Sequence, residues 1–189
     1  MNKTGNPAVV GLGGFGFTTL ILQFHNLGLI GLGPVLAMGL IFGGLAQFIA
    51  GFQEQKTGNN FGYCAFVAYG SFWIGLGIIF LLNFYKIYES SRTDVAYFLL
   101  GWTLYTFIML ITALRIHTAM VITFFTLFLG FLLLTVGHFG PEEINKVAAI
   151  DLIICALSAW YMMFGNIMND LAGKTVLPFG KPWIAKKVE

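Results

Sequence analysis

The chain has 189 residues, 58% of them hydrophobic and 10% charged, with a net charge of +2 and a mean hydropathy of +0.83. A soluble domain carries about 25% charged residues, so that class is excluded, and the small net charge gives no footprint for nucleic acid. The apolar runs are long and do not alternate, which excludes a membrane β-barrel and leaves an all-α integral membrane protein.

Six runs approach the roughly 20 residues needed to cross a bilayer. They cover 8–24, 34–52, 61–82, 95–114, 118–137 and 147–168, and Asp151 is the one formally charged residue within them. Little chain remains outside, so residues 1–189 are expected to form a single six-helix membrane domain. No charged-then-apolar start with a cleavage site is visible, so no removable signal peptide is expected.

The first run opens on Asn6-Pro7. Asn is a favoured helix N-cap, and Pro suits the first helical position. Gly11, Gly13, Gly14 and Gly16 follow. Glycines in a membrane helix admit the close approach of another backbone or of a solute. Gly11, Gly13 and Gly16 also fit G-x-G-x-x-G. That fingerprint needs a preceding strand and an acidic residue about 20 positions on, whereas the lead-in is polar and no Asp or Glu occurs before Glu54. No cofactor is expected.

In the second run Gly39, Gly43 and Gly44 form a small-residue face for helix packing, within or between subunits. The connectors are short and polar. Glu54 and Lys56 fall in 53–60; Lys86, Glu89, Arg92 and Asp94 in 83–94; Glu142 and Glu143 in 138–146. Cys64 and Cys155 lie in apolar runs and read as small hydrophobes. His25, His117 and His138 stand near span ends, with no pair at metal-ligand spacing, so no metal site is expected. Lys3, Lys56, Arg115, Lys174, Lys181, Lys186 and Lys187 share one side, against Lys86, Arg92 and Lys146 on the other. The excess of positive charge places both termini in the cytoplasm. Residues 8–82 and 95–168 show no clear repeat.

No span offers Lys or Arg to an anion. A carboxylate crossing here would rely on the helix N-terminus at Asn6-Pro7, whose free N–H groups and dipole suit an anion, and on hydroxyls and amides. Asn6, Thr18, Thr19, Gln47 and Ser71 are the substrate-binding candidates. The alternative for each hydroxyl is a bond to its own helix, and for Gln47 a tie between two helices. Phe15, Tyr69 and Leu127 each sit near mid-span, where three bulky side chains at one level would close a narrow path. Glu54, Asp151 and His25 are the proton-coupling candidates. Glu54 is expected in a connector and the other two near an interface, so none is expected to be indispensable.

The stretch Asn6-Pro7-Ala8 with Gly11-Leu12 and Gly14-Phe15 resembles the signature of the acetate uptake transporter family, the succinate–acetate permeases. Val9 and Val10 stand where that signature has Pro-Leu. The resemblance extends through His25-Asn26, Gly43-Gly44, Gln47, Gly58-Asn59, Tyr69-Gly70-Ser71-Phe72-Trp73 and Thr175-Val176-Leu177-Pro178. It implies six-helix subunits assembled as homohexamers in the cell inner membrane, each with its own path for acetate and related small carboxylates such as succinate. It also implies an apolar constriction of a Phe, a Tyr and a Leu, which alignment puts on Phe15, Tyr69 and Leu127. Proton symport and channel-like permeation both remain open. An anion channel of other selectivity and a structural membrane protein are the alternatives; an enzyme is not expected, since no nucleophile and base are suitably spaced.

Overall fold

The computed structural model describes residues 5–185. Lys3, Lys186 and Lys187, which entered the orientation count, lie outside the described residues. Six helices are long and apolar enough to span a membrane: α1 Ala8–Asn26, α2 Leu32–Lys56, α3 Asn60–Phe84, α4 Arg92–Ala113, α5 Thr118–Phe139 and α6 Glu143–Ala172. No strand occurs among the described residues.

Most of the helices outrun the apolar segments that announce them. Hydropathy marks only the hydrocarbon-embedded part, while the backbone stays helical into the interface wherever caps satisfy its ends. Asn6 Oδ1 accepts the Ala8 N–H at 3.0 Å, so Asn6-Pro7 does open α1. Asn59 caps α3 by accepting the Gly62 N–H at 3.1 Å. Ser91 and Asp94 form a capping box on α4. His117 caps α5, its Nδ1 accepting the Met120 N–H at 3.1 Å. Helix α6, at 30 residues, is about 45 Å long at 1.5 Å per residue, more than the hydrocarbon core requires. It stops at Gly173, which takes the left-handed conformation that glycine adopts freely.

The helices pack in the order α4–α5–α6–α1–α2–α3, so α1 is central, against α2 and α6 and also touching α3. The glycines of α1 make this possible. A methyl group at Gly14 would collide with the Phe42 carbonyl of α2, and one at Gly16 with the Trp160 indole of α6. That indole donates to the Gly13 carbonyl at 3.2 Å. Close approach thus serves neighbouring helices of the same chain. The Gly43–Gly44 face of α2 likewise packs inside the subunit, Gly43 against Thr18 and Gly44 against Ile74. Around these glycines Ile41–Ala46 forms a π-helical turn, a feature that often accompanies functional sites.

Helix α3 makes no extended backbone contact with α4 or α5. Rings bridge the gap. Tyr69 meets Trp102 and Tyr105 of α4 at 5.8 and 5.9 Å and Phe124 of α5 at 6.0 Å. Phe72 stacks on Phe98 at 5.7 Å and meets Phe131 edge-on at 5.2 Å. Each such pair contributes about 0.5–1.5 kcal/mol beyond its burial.

Candidate solute path

Two cavities enter the bundle from opposite ends. The first, of 310 Å³, opens at the end where α1 begins and α6 finishes. Ala8, Leu12 and Phe15 of α1 line it, with Gly62, Ala65 and Tyr69 of α3 and Met120, Phe124 and Leu127 of α5. The second, of 450 Å³, opens at the other end and is lined by Leu22 and Asn26 of α1, Phe72, Leu76 and Phe80 of α3, and Leu134 and His138 of α5. On each of these three helices one helical stripe, spaced by three and four residues, runs from the first cavity to the second.

Phe15, Tyr69 and Leu127 are the last residues on α1, α3 and α5, in chain order, to line the first cavity. All three are buried, and the Phe15 and Tyr69 rings meet edge-on at 6.0 Å. The three mid-span residues thus all line the first cavity, and none of them lines the second. The Tyr69 hydroxyl is engaged with Thr106 Oγ1 at 2.9 Å, so its ring is fixed from the α4 side.

The first cavity suits an anion at its mouth. Helices α1, α3 and α5 all begin there, and the caps of all three, Asn6, Asn59 and His117, are among its lining residues. Three helix N-termini aim their positive ends at one space. The His117 Nδ1 accepts from the backbone, so the neutral ring carries its proton on Nε2, and burial pushes this imidazole below its usual value of 6.5. No Lys or Arg is among the described lining residues. The Gln47 side chain also lines the space, and its Oε1 is buried without a partner.

The other sequence candidates fall out as follows. Thr19 lies one turn beyond Phe15 and three residues before Leu22, between the cavities, and its Oγ1 is buried without a partner. Thr18 points instead into the α1–α2 contact, donating to the Met38 carbonyl at 3.3 Å. Ser71 is a correction: it is exposed on the outside of α3 and donates to the Val67 carbonyl of its own helix at 2.8 Å. Glu54 is a second correction. It belongs to the last turn of α2 rather than a connector, is 3% exposed, and lines the first cavity. The helix continues past the apolar run because a buried carboxylate has a partner there, Asn59 Nδ2 at 2.6 Å. Asp151 is half-buried on α6, with Oδ2 unpartnered, and lines neither cavity. His25 lines the second cavity with His138, Glu142, Glu143 and Lys146. The Nδ1 of each histidine bonds a carbonyl, Ile30 at 3.0 Å and Leu134 at 2.8 Å, which fixes the ring proton on Nδ1.

Sequence reasoning missed Asn59, Asn166, Met162 and Phe179, all of which line the first cavity. Asn59 had a signal, an Asn directly before an apolar run. Phe179 had none, because it comes from the tail, which folds back over the mouth. There Phe179 lies 5.1 Å from the His117 ring, and its carbonyl accepts the Ala119 N–H at 2.9 Å.

Comparison with known proteins gives a consistent result. The model of the GPR1/FUN34/yaaH family matches residues 1–179. The succinate-acetate/proton symporter SatP of Escherichia coli K12 is 40% identical over 182 residues, covering 95% of this chain and 97% of the relative. Acetate permease A of Emericella nidulans is 31% identical over 202 residues, covering 96% and 68% respectively. The solved structure of the bacterial acetate channel SatP superposes with a TM-score of 0.91 at 39% identity, covering 94% of this chain and all of that one.

Proposed function

This chain belongs to the GPR1/FUN34/yaaH family, and from that premise we propose that it transports acetate and related small carboxylates, succinate among them, across the cell inner membrane. The observation that carries this reading is the pair of cavities, 310 and 450 Å³, that α1, α3 and α5 line from opposite ends; Phe15, Tyr69 and Leu127, buried at the inner limit of the first, are the proposed gate between them. Both termini face the cytoplasm, so the first cavity is the inner vestibule. The chain is a transporter and not an enzyme, and it assembles as a homohexamer in which each subunit keeps its own path.

The physics is that of selective exclusion. A carboxylate is drawn to the inner mouth by three helix N-termini. The apolar level at Phe15, Tyr69 and Leu127 accepts a methyl group and rejects hydrated inorganic ions, which would have to shed water with nothing to replace it. Ring edges carry partial positive charge and can face an anion in passage. Thr19 and Gln47, with buried oxygens lacking partners, stand close to that level as hydrogen-bonding groups. The test is labelled acetate flux into liposomes holding the purified chain, with empty liposomes as the blank. Flux above the blank that unlabelled acetate competes away supports the reading; flux equal to the blank overturns it.

A further inference from the structure

We propose that Glu54 is the group that exchanges a proton with the substrate in the first cavity, so that one proton accompanies each carboxylate. This deepens the carboxylate-transport reading and rests on it. The geometry is specific. Glu54 is 3% exposed, yet its side chain lines the cavity. It is the single Asp, Glu, Lys or Arg among the described lining residues. Its Oε2 accepts from Asn59 Nδ2 at 2.6 Å, and Asn59 Oδ1 in turn accepts the Gly62 N–H at the start of α3. The carboxyl is thus tied to the end of one of the three helices whose N-termini face the incoming anion.

A carboxylate entering this cavity meets a second carboxylate in a small, largely apolar space. Two like charges at close range repel, so the Glu54 carboxyl stands as a ready acceptor for a proton that the substrate brings. A carboxylic acid arriving through the apolar constriction breaks its O–H bond as the Glu54 carboxylate forms one. The pair keeps a net charge of −1, and no electrons are gained or lost. The substrate then leaves as the anion, and Glu54 gives its proton to water at the mouth. The Asn59 amide holds the carboxyl in place in either state, since it donates to a carboxylate oxygen or to the carbonyl oxygen of the acid.

Other groups around the cavity do not replace it. Helix α1 brings Asn6, α3 brings Asn59 and Tyr69, α6 brings Asn166, and the start of α5 brings His117. Of these His117 is the one imidazole; burial holds it below its usual value, and its Nδ1 is occupied by a backbone N–H. Lys56, two residues beyond Glu54, is exposed and is not among the lining residues.

The experiment uses the purified full chain in liposomes, with labelled acetate, an imposed pH gradient and, separately, a potassium–valinomycin potential. The wild type should respond to the pH gradient and ignore the potential, because acid and proton move together. Glu54→Gln should lose at least tenfold of the pH-gradient response and become sensitive to the potential. Glu54→Asp, which retains a carboxyl, should restore the pH response. A Glu54→Gln protein with wild-type pH response and no sensitivity to potential overturns the proposal. If that variant does not assemble, a pH dye in weak buffer decides on the wild type alone. Uptake of about one proton per subunit on acetate addition supports the proposal, and no uptake overturns it. A wild type that moves no acetate at all would instead overturn the transport reading.

Discussion

At the scale of single residues, the path depends on which face of its helix each side chain occupies. Tyr69 is held on both sides, by Phe15 across the path and by Thr106 behind it. Tyr69→Phe removes the hydroxyl and leaves Thr106 Oγ1, a fully buried atom's residue, without that partner. The expected result is a loss of about 1–3 kcal/mol in stability, read as a lower melting temperature in detergent, with the propionate-to-acetate ratio unchanged. A changed ratio at wild-type stability would mean that the hydroxyl touches the solute. Ser71→Ala should alter neither quantity, because Ser71 is exposed and bonds its own helix. That Phe15, Tyr69 and Leu127 reach one cavity was legible from depth, since mid-span position fixes the level of a side chain along the helix axis. Direction around the axis was not legible for Thr18 or Ser71. Every face of these helices is apolar enough to mask the stripe that points inward.

At the scale of elements, the tail after α6 is a structural strap over the first cavity. Asn169 takes the Val176 and Leu177 N–H groups at 2.7 and 2.9 Å and donates to the Leu177 carbonyl at 2.9 Å. The Tyr161 hydroxyl donates to the Pro178 carbonyl at 2.7 Å. Asn169→Ala removes three bonds at once. It should release the strap and speed tryptic cleavage at Lys181 several-fold, with little effect on helix content; an unchanged cleavage rate would show that the other tail contacts suffice. The start of α5 adds a pH dependence. Burial lowers the His117 imidazole below its usual 6.5, so the unfolded chain binds the proton more readily than the folded one. Stability from this group is therefore complete above about pH 6.5 and falls as pH drops through the lowered value. A melting curve series from pH 7.5 to 5 should show a decline that His117→Asn, a non-titrating cap, removes in part. The six helices were legible because each contains a long apolar run. Their true ends were not, because Glu54 and Arg92 are polar residues kept helical by specific partners: Asn59 for the first, the Gly140 carbonyl at 2.7 Å and Glu142 at 3.3 Å for the second.

At the scale of the whole molecule, the account requires a defined orientation and a continuous route. With Cys64 and Cys155 replaced, Glu89→Cys should react with an impermeant thiol reagent in intact cells and Lys56→Cys should not; the reverse pattern would invert the molecule and make the first cavity the outer one. The route itself was only half legible. That Asn6 and the mid-span residues Phe15, Tyr69 and Leu127 line one space could be read from the chain. The joining of Asn6, Asn59 and His117 in one cavity could not, since these caps are far apart in sequence and meet only because α1, α3 and α5 run parallel around one axis. The most direct test is the propionate-to-acetate flux ratio in liposomes, for wild type, Phe15→Ala and Leu127→Ala, on protein matched for assembly state. Truncating a packed Phe or Leu commonly costs about 2–5 kcal/mol, which would lower flux for all solutes alike and leave the ratio fixed. The account predicts a ratio raised several-fold in both variants, with chloride beginning to leak through Phe15→Ala. An unchanged ratio in both would contradict it.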